Sequence, residues 1–104
     1  MSLRVINLYQ NLPKTGEAQV IGKQLLRSAT SVAANYRTVS RAKSEADKIN
    51  KLKIVLEEAD ETCFWLELLL EANIFTEEKL RDLYNECEEI VKIVASTLSK
   101  FKQK

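Results

Sequence analysis

The sequence has no histidine and little glycine, proline or cysteine: two Gly, one Pro and two Cys in 104 residues. Without histidine it lacks the commonest general base and the commonest metal ligand in proteins, which excludes a di-iron bundle of the Glu-x-x-His type. Because the only glycines are Gly16 and Gly22, a Gly-rich phosphate-binding loop is also absent. We therefore expect no catalytic residue, no metal site and no cofactor, and hence a protein that is not an enzyme.

Long apolar runs are missing as well. No stretch approaches the ~18 residues that a membrane-spanning helix needs, and the start of the chain has no signal-peptide pattern. We therefore expect a cytoplasmic protein without a membrane partner, folded as a single domain over residues 1–104. Cys63 and Cys87 fall on apolar helical positions and form no CxxC motif. This favours buried, reduced thiols, with a disulfide or a metal site as the alternatives.

Apolar residues recur at helical spacing through most of the chain. The spacing predicts helices over residues 2–12, about 17–39 and about 45–73, and a fourth helix that Thr76 caps. Ser44 and Asp47 form a weak variant of the capping box at the start of the third helix. Together these signals predict an all-α, antiparallel up-down four-helix bundle with a short first helix. Because the first helix is about half as long as its partners, one groove between long helices should stay partly uncovered.

The second helix carries a polar seam beside its apolar stripe. The seam residues recur every three or four positions: Ser28, Ser31, Asn35 and Thr38. Small residues lie on the other edge of the stripe, where a neighbouring helix could approach closely: Gly22, Ala29 and Ala33. The seam is interpreted as a hydrogen-bonded device that fixes helix register, as a buried Asn does in coiled coils. A small polar ligand or a water site is the alternative.

Charge is divided unevenly between the two halves of the chain. Residues 1–53 hold ten Lys and Arg against three Asp and Glu, whereas residues 54–104 hold six against twelve. The cations of the first half form a predicted basic face: Lys23, Arg27, Arg37 and Arg41, extended by Lys43, Lys48 and Lys51. This face has three interpretations: a solvated surface, docking onto an acidic neighbouring subunit, or contact with nucleic-acid phosphates. It lacks interleaved aromatic residues, which argues against a stacking platform for single strands.

The third helix has apolar side chains on two sides. Its predicted core stripe follows near-heptad spacing: Ile49, Leu52, Leu56, Ala59, Cys63, Leu66 and Leu70. A second group is placed on the opposite side: Ile54, Trp65, Leu69 and Ala72. One bundle core buries only one side, so the second group predicts an oligomer interface. Unlike patches that meet head to tail give rings, which predicts a cyclic homo-oligomer. A monomer with Trp65 folded under the first helix is the alternative.

Three stretches resemble one known family. Gln24–Arg37 (QLLRSATSVAANYR), Arg41–Asp47 (RAKSEAD) and Glu57–Leu69 (EEADETCFWLELL) look like the bacterial four-helix-bundle proteins encoded in intervening sequences of 23S rRNA genes, which carry a ribosomal protein-like label. The resemblance implies a cytoplasmic, non-enzymatic homopentamer in an RNA or ribonucleoprotein setting. Many relatives have Glu where this chain has Thr38, which puts an ion pair across the seam in doubt.

A related branch of that family contains the accessory proteins of diversity-generating retroelements. These are basic pentamers that bind reverse transcriptase and nucleic acid. The resemblance therefore also implies an alternative function, in which the protein is a nucleic-acid-binding accessory protein that uses the basic face of its second helix.

Overall fold

The computed structural model describes residues 1–74 and 77–102. It contains four helices: α1 Ser2–Gln10, α2 Gly16–Val39, α3 Glu45–Glu71 and α4 Glu77–Lys102. No β-strand occurs in these two ranges. The helices pack as a bundle, so the all-α four-helix architecture with a short first helix is confirmed. The predicted cap at Thr76 lies outside the described residues.

Side-chain caps fix the starts of α2 and α3. The Thr15 hydroxyl accepts a hydrogen bond from the Ala18 N–H at 3.3 Å, and the Ser44 hydroxyl accepts one from the Asp47 N–H at 3.1 Å. The second cap confirms the start predicted for α3. The Asp47 carboxylate accepts from the N–H of Lys43 at 3.1 Å, one residue earlier than in a standard capping box. These two hydrogen bonds, one to the Ser44 hydroxyl and one to the Asp47 carboxylate, therefore fix the turn between α2 and α3.

The end of α3 is a Schellman motif. Asn73 has a positive φ of 53°, a conformation that Asn tolerates better than most residues. The Ile74 N–H donates to the Leu69 carbonyl at 3.3 Å, and the Asn73 N–H donates to the Leu70 carbonyl at 3.2 Å. These two bonds satisfy carbonyls that the helix end leaves free, and they end α3 without Gly or Pro.

Two apolar clusters follow one another along a bundle of 47 × 20 × 18 Å. The first lies beside α1 and consists of Val5, Leu8, Leu12, Leu25, Ala29, Cys63, Leu66, Leu69, Leu80, Leu83 and Cys87. The second lies beyond α1 and consists of Val32, Leu52, Val55, Ala59, Val94 and Leu98. The second cluster draws its buried residues from only three helices, because α1 is too short to reach across it.

The buried face of α3 is wider than the single stripe that the sequence predicts. The fully or almost fully buried residues are Leu52, Val55, Ala59, Thr62, Cys63, Leu66 and Leu69. Leu69 has no exposed surface and belongs to the first cluster, so its predicted position on the outer side is wrong. The physical reason is that α3 packs along both α2 and α4, and two neighbours bury a broader arc than one.

Close approach between α1 and α2 depends on Gly22. A Cβ atom at Gly22 would collide with the Leu12 side chain and lie 3.0 Å from Cδ2 of Tyr9. This confirms that a small residue lets the neighbouring helix approach here. The other side of α1 is tied to α4, because the Glu86 carboxylate lies 2.7 Å from the Arg4 guanidinium and 3.3 Å from the N-terminal ammonium.

Candidate functional site

Among the described residues, the polar seam makes one hydrogen bond to another helix, through Ser28. Ser28 is fully buried and faces Thr62 of α3, which is also fully buried. The Thr62 hydroxyl donates to Ser28 Oγ at 2.9 Å and has the Glu58 carbonyl as another acceptor at 2.7 Å. The Ser28 hydroxyl donates to the Leu25 carbonyl at 3.2 Å. This pair sets α2 against α3, as the register interpretation requires, and Thr62 is the partner that the sequence did not identify.

The other seam residues bond within α2. The Asn35 amide donates to the Ser31 carbonyl at 2.9 Å and to the Ser31 hydroxyl at 3.1 Å. The Thr38 hydroxyl donates to the Asn35 carbonyl at 2.8 Å. Within the described part of the chain, every buried side-chain nitrogen and oxygen has a hydrogen-bond partner. The seam therefore presents no unpaired buried group for a ligand, and Ser31, Asn35 and Thr38 do not fix register.

Arg27 of the predicted basic face is engaged by α3. Its guanidinium donates to the Glu61 carboxylate and lies 3.3 Å from the Glu58 carboxylate. The hydrogen bond to Glu61 raises the pKa of Arg27, and the same bond lowers the pKa of Glu61. The Trp65 indole N–H also donates to Glu61, at 3.2 Å. The charge of Arg27 is thus largely compensated within the bundle, which weakens it as a phosphate-binding candidate.

The remaining cations of the basic face separate into two regions. Lys23 is exposed near the start of α2, whereas the others lie near the turn between α2 and α3. Lys51 is paired with Asp47 at 3.7 Å, and Lys48 lies 5.8 Å from the centre of the Phe101 ring. We call the four exposed cations at this turn the basic end: Arg37, Arg41, Lys43 and Lys48.

An apolar groove lies between α2 and α4, beyond the N-terminus of α1. It encloses a volume of about 440 Å³ and is lined by Met1, Val32, Ala33, Tyr36, Arg37, Ile90, Ile93 and Val94. Tyr36 and Ile93 are 52% and 53% exposed. This α2–α4 groove is the uncovered groove that the short first helix predicts. Its apolar walls are bordered by Arg37, which also belongs to the basic end.

The outer surface of α3 carries an aromatic pair. The Phe64 and Trp65 rings meet edge to face, with centroids 4.9 Å apart and planes at 66°. Phe64 is 49% exposed, whereas Trp65 is half-buried against the first apolar cluster. Of the predicted interface residues, Ile54 is also half-buried, Ala72 is exposed, and Leu69 is excluded by its burial in the core. Phe64 was missed because its neighbours on the helix flank are charged.

Within the described residues, the acidic and cysteine side chains form no cluster of three or more that could hold a metal ion. No helix there combines the length and the apolar character that crossing a membrane requires. The candidate functional features of the described residues are therefore surfaces: the α2–α4 groove, the aromatic pair and the basic end.

These features define the class of the protein: a small helical bundle, packed around α3, with uncovered apolar and basic surfaces. The family model of the 23S rRNA-intervening sequence protein matches residues 1–96, and the chain belongs to that family. A crystal structure of a protein of unknown function from the S23 ribosomal protein family of Bacteroides thetaiotaomicron is also similar. The two sequences are 43% identical, and the match covers 93% of this chain and 90% of that protein's chain. The two structures superpose with a TM-score of 0.85. No curated protein matches the chain.

Proposed function

We propose that the protein is a non-enzymatic bundle that assembles with copies of itself into a cyclic homo-oligomer, in an RNA or ribonucleoprotein setting in the bacterial cytoplasm. The observation that carries this proposal is the α2–α4 groove, an apolar surface that the chain's own short α1 leaves open. Membership of the 23S rRNA-intervening sequence family supports the RNA setting. Five copies is the number that the family resemblance implies.

The groove and the aromatic pair supply two unlike surfaces. Complete burial of an aliphatic side chain such as Ile93 contributes roughly 1.5–3 kcal/mol, and half of its surface is still available. Aromatic residues such as Phe64 and Trp65 are favoured at the centres of interfaces. Because α3 packs between α2 and α4, its outer surface and the groove lie on different sides of the bundle. Contact between different surfaces is head to tail, which closes into a ring when the rotation permits.

Sedimentation of the purified protein tests the assembly. We expect the unmodified chain of 11.9 kDa to sediment as an oligomer at micromolar concentration and Ile93→Glu to sediment as a monomer. Val20→Glu is the matched control, because Val20 is 62% exposed on α2 but does not line the groove. Trp65→Glu tests the aromatic pair in the same way. A monomeric unmodified protein would contradict the assembly proposal, and equal behaviour of Ile93→Glu and Val20→Glu would exclude the groove as the interface.

Direct binding of nucleic acid is the second candidate function, and the basic end is the observation that favours it. Arg37, Arg41, Lys43 and Lys48 are exposed together where α2 passes into α3. Each cation that neutralises a phosphate releases a counterion, so the affinity of a direct binder falls steeply as salt rises. The surface available to nucleic acid is smaller than the predicted basic face, because Arg27 is paired with Glu58 and Glu61.

RNA binding measured over a range of salt concentrations separates the two candidates. We expect the double variant Arg37→Glu, Arg41→Glu to abolish binding and the control Lys14→Glu, Lys92→Glu to retain it, since both change the net charge equally. Sedimentation of both variants is required as well, because Arg37 lines the groove. Binding that does not weaken with salt, or that both variants lose equally, would contradict a direct role of the basic end.

A further inference from the structure

The two cysteines, which lie 24 positions apart in the sequence, meet in the core between α3 and α4. Their Sγ atoms are 2.9 Å apart, and both are free thiols. The Cys63 thiol donates towards Cys87, and the Cys87 thiol donates to the Ala59 carbonyl at 3.0 Å. A disulfide has an S–S distance of about 2.05 Å, so the sulfurs need to approach by less than 1 Å to bond.

Only one of the two thiols is accessible from the surface. A cavity of about 370 Å³ opens between α3 and α4, and Cys63 forms part of its wall, whereas Cys87 does not. Cys63 is 7% exposed and Cys87 is completely buried. The cavity therefore admits a small molecule to Cys63, and Cys87 lies behind it. This order, an accessible sulfur with a second sulfur in contact behind it, is typical of redox-sensitive cysteine pairs.

The surroundings of Cys63 discriminate between oxidants. The Cys87 thiol can turn to donate a hydrogen bond to the Cys63 thiolate, which lowers the pKa of Cys63, while the same contact raises the pKa of Cys87. Cys63 is therefore the first of the pair to ionise. Acidic residues line the entrance and oppose this shift: Asp60, Glu67 and Glu88, with Tyr84 donating to Glu67 and Lys92 as the cation of the wall. An anionic oxidant is repelled here, whereas a neutral peroxide is not.

We propose that Cys63 and Cys87 form a peroxide-sensitive thiol pair that reversibly cross-links α3 to α4. The Cys63 thiol loses its proton, the resulting thiolate attacks one oxygen of hydrogen peroxide, and the O–O bond breaks. The leaving hydroxide takes up the proton that Cys63 lost and departs as water, and Cys63 is left as a sulfenic acid. The Cys87 sulfur then attacks the Cys63 sulfur, the S–S bond forms and the S–O bond breaks. The leaving hydroxide takes up the proton of the Cys87 thiol and departs as a second water. The two thiols lose two electrons in total, and the peroxide takes them up.

The cross-link should change the thermal stability of the bundle. A bond from Cys63 to Cys87 joins α3 to α4 and closes a loop of 24 positions. Such a loop restricts the unfolded chain, and we expect the oxidised protein to melt about 10 °C higher than the reduced protein. Reduction by a dithiol reverses the shift, because both sulfurs return to the thiol state.

The test uses the reduced, full-length protein treated with hydrogen peroxide. We expect both thiols to disappear together, the mass of the chain to fall by two hydrogen atoms, and a linked Cys63–Cys87 peptide to appear after proteolysis. We also expect hydrogen peroxide to act faster than oxidised glutathione, which is anionic. Thiols that persist at peroxide concentrations that oxidise an exposed cysteine, or disulfides that join separate chains, would overturn the proposal. Equal rates for the two oxidants would overturn the discriminating role of the acidic entrance.

Two single variants assign the order of the steps. Cys87→Ser should stop at the Cys63 sulfenic acid, which dimedone traps, whereas Cys63→Ser should leave Cys87 reduced. Helical content and melting temperature show whether each variant folds. The intact chain supplies the thiol count and the linked peptide independently of both variants. Identical dimedone labelling of the two variants would contradict the assigned order.

Discussion

The two sides of α2 differ in how they are packed. Towards α3, α2 contributes the buried Ser28–Thr62 contact and the ion pairs of Arg27 with Glu58 and Glu61. Towards α4, α2 has no comparable packing with its neighbour, and the space is filled by α1 at one end and left open as the α2–α4 groove at the other. The same helix thus has one closed side and one open side.

Under the proposed assembly, this difference means that stability and interaction depend on different surfaces. The closed side buries apolar area, pairs its polar groups and fixes α2 against α3. The open side leaves Tyr36 and Ile93 half exposed, at a cost that burial against a second molecule would recover. Substitutions on the closed side should therefore change the free energy of unfolding, whereas substitutions on the open side should change assembly.

The largest expected effect on stability follows from shortening a buried core side chain of α3. Leu66 has no exposed surface, so Leu66→Ala should lower the free energy of unfolding by about 2–5 kcal/mol. Ile93→Ala in the groove should change it by less than about 0.5 kcal/mol at concentrations at which the chain is monomeric. Urea unfolding measures both variants. If Ile93→Ala costs as much as Leu66→Ala in the monomer, the open side is not separate from the core.

The second largest effect on stability is expected at Gly22, where α1 packs over half of the open side. Gly22→Val forces a side chain against Leu12 and Tyr9, and overpacking of this kind costs about 1–3 kcal/mol. Gly16→Ala is the control, because nothing lies within 4 Å of a Cβ there. Since Ala is the better helix former, the control should be as stable as the unmodified protein or more stable by up to about 1 kcal/mol. Thermal unfolding followed by circular dichroism tests this pair, and equal destabilisation would show that α1 does not rely on Gly22.

The buried hydroxyl contact on the closed side should have a smaller effect. Thr62→Val keeps the shape and removes the bond to Ser28, which should cost about 0.5–1.5 kcal/mol. Thr97→Val is the control, because Thr97 also donates to the carbonyl four residues before it, that of Ile93, but at a more exposed position. A double-mutant cycle with Ser28→Ala isolates the energy of the pair. A coupling energy of zero would mean that Ser28 and Thr62 do not fix the register of α2 and α3.

The smallest expected effect is the pH dependence of the Arg27 ion pairs. Because Arg27 lowers the pKa of Glu61 in the folded state, the pair stabilises the protein above the ordinary pKa of about 4.5, and this contribution is lost as the pH falls through the lowered folded pKa. Arg27→Met should therefore be less stable than the unmodified protein at pH 7, and the difference should shrink in acid. The effect is modest because the pair is exposed to solvent.

Lys23→Met is the control for this measurement, since it removes an exposed cation from the same helix without touching Glu58 or Glu61. Urea unfolding at neutral and acidic pH compares the two variants. A difference between Arg27→Met and the unmodified protein that stays constant with pH would show that the Glu61 carboxylate does not contribute through Arg27.

Sequence reasoning predicted the elements of this fold because the signals are local. The start of α3 was correct because Ser44 caps the helix from within the same turn. The end of α3 was placed two residues too late, since Asn73 takes up the left-handed conformation of a Schellman motif without the usual Gly. The uncovered groove also followed from length alone, because a helix as short as α1 cannot cover neighbours of 24 and 26 residues.

The buried arc of α3 shows where sequence reasoning failed. Two parallel rows of buried residues, each at a spacing of seven, run along it. The central row, Leu52, Ala59 and Leu66, was predicted correctly. The second row, Val55, Thr62 and Leu69, was missed, and Leu69 was placed on the outside. A polar Thr62 interrupts that row, and only its contact with Ser28 reveals that the row is buried.

The sequence by itself determined the helices and their approximate ends, because hydrogen bonds and side-chain spacing within a helix are local. Only the tertiary structure decided which groups meet: Arg27 with Glu58 and Glu61, Ser28 with Thr62, and Cys63 with Cys87. Each of these contacts joins residues at least 24 positions apart, so it depends on the rotation of each helix about its axis. That rotation is set by the packing of α3 between two neighbours, which no periodicity within a single helix encodes.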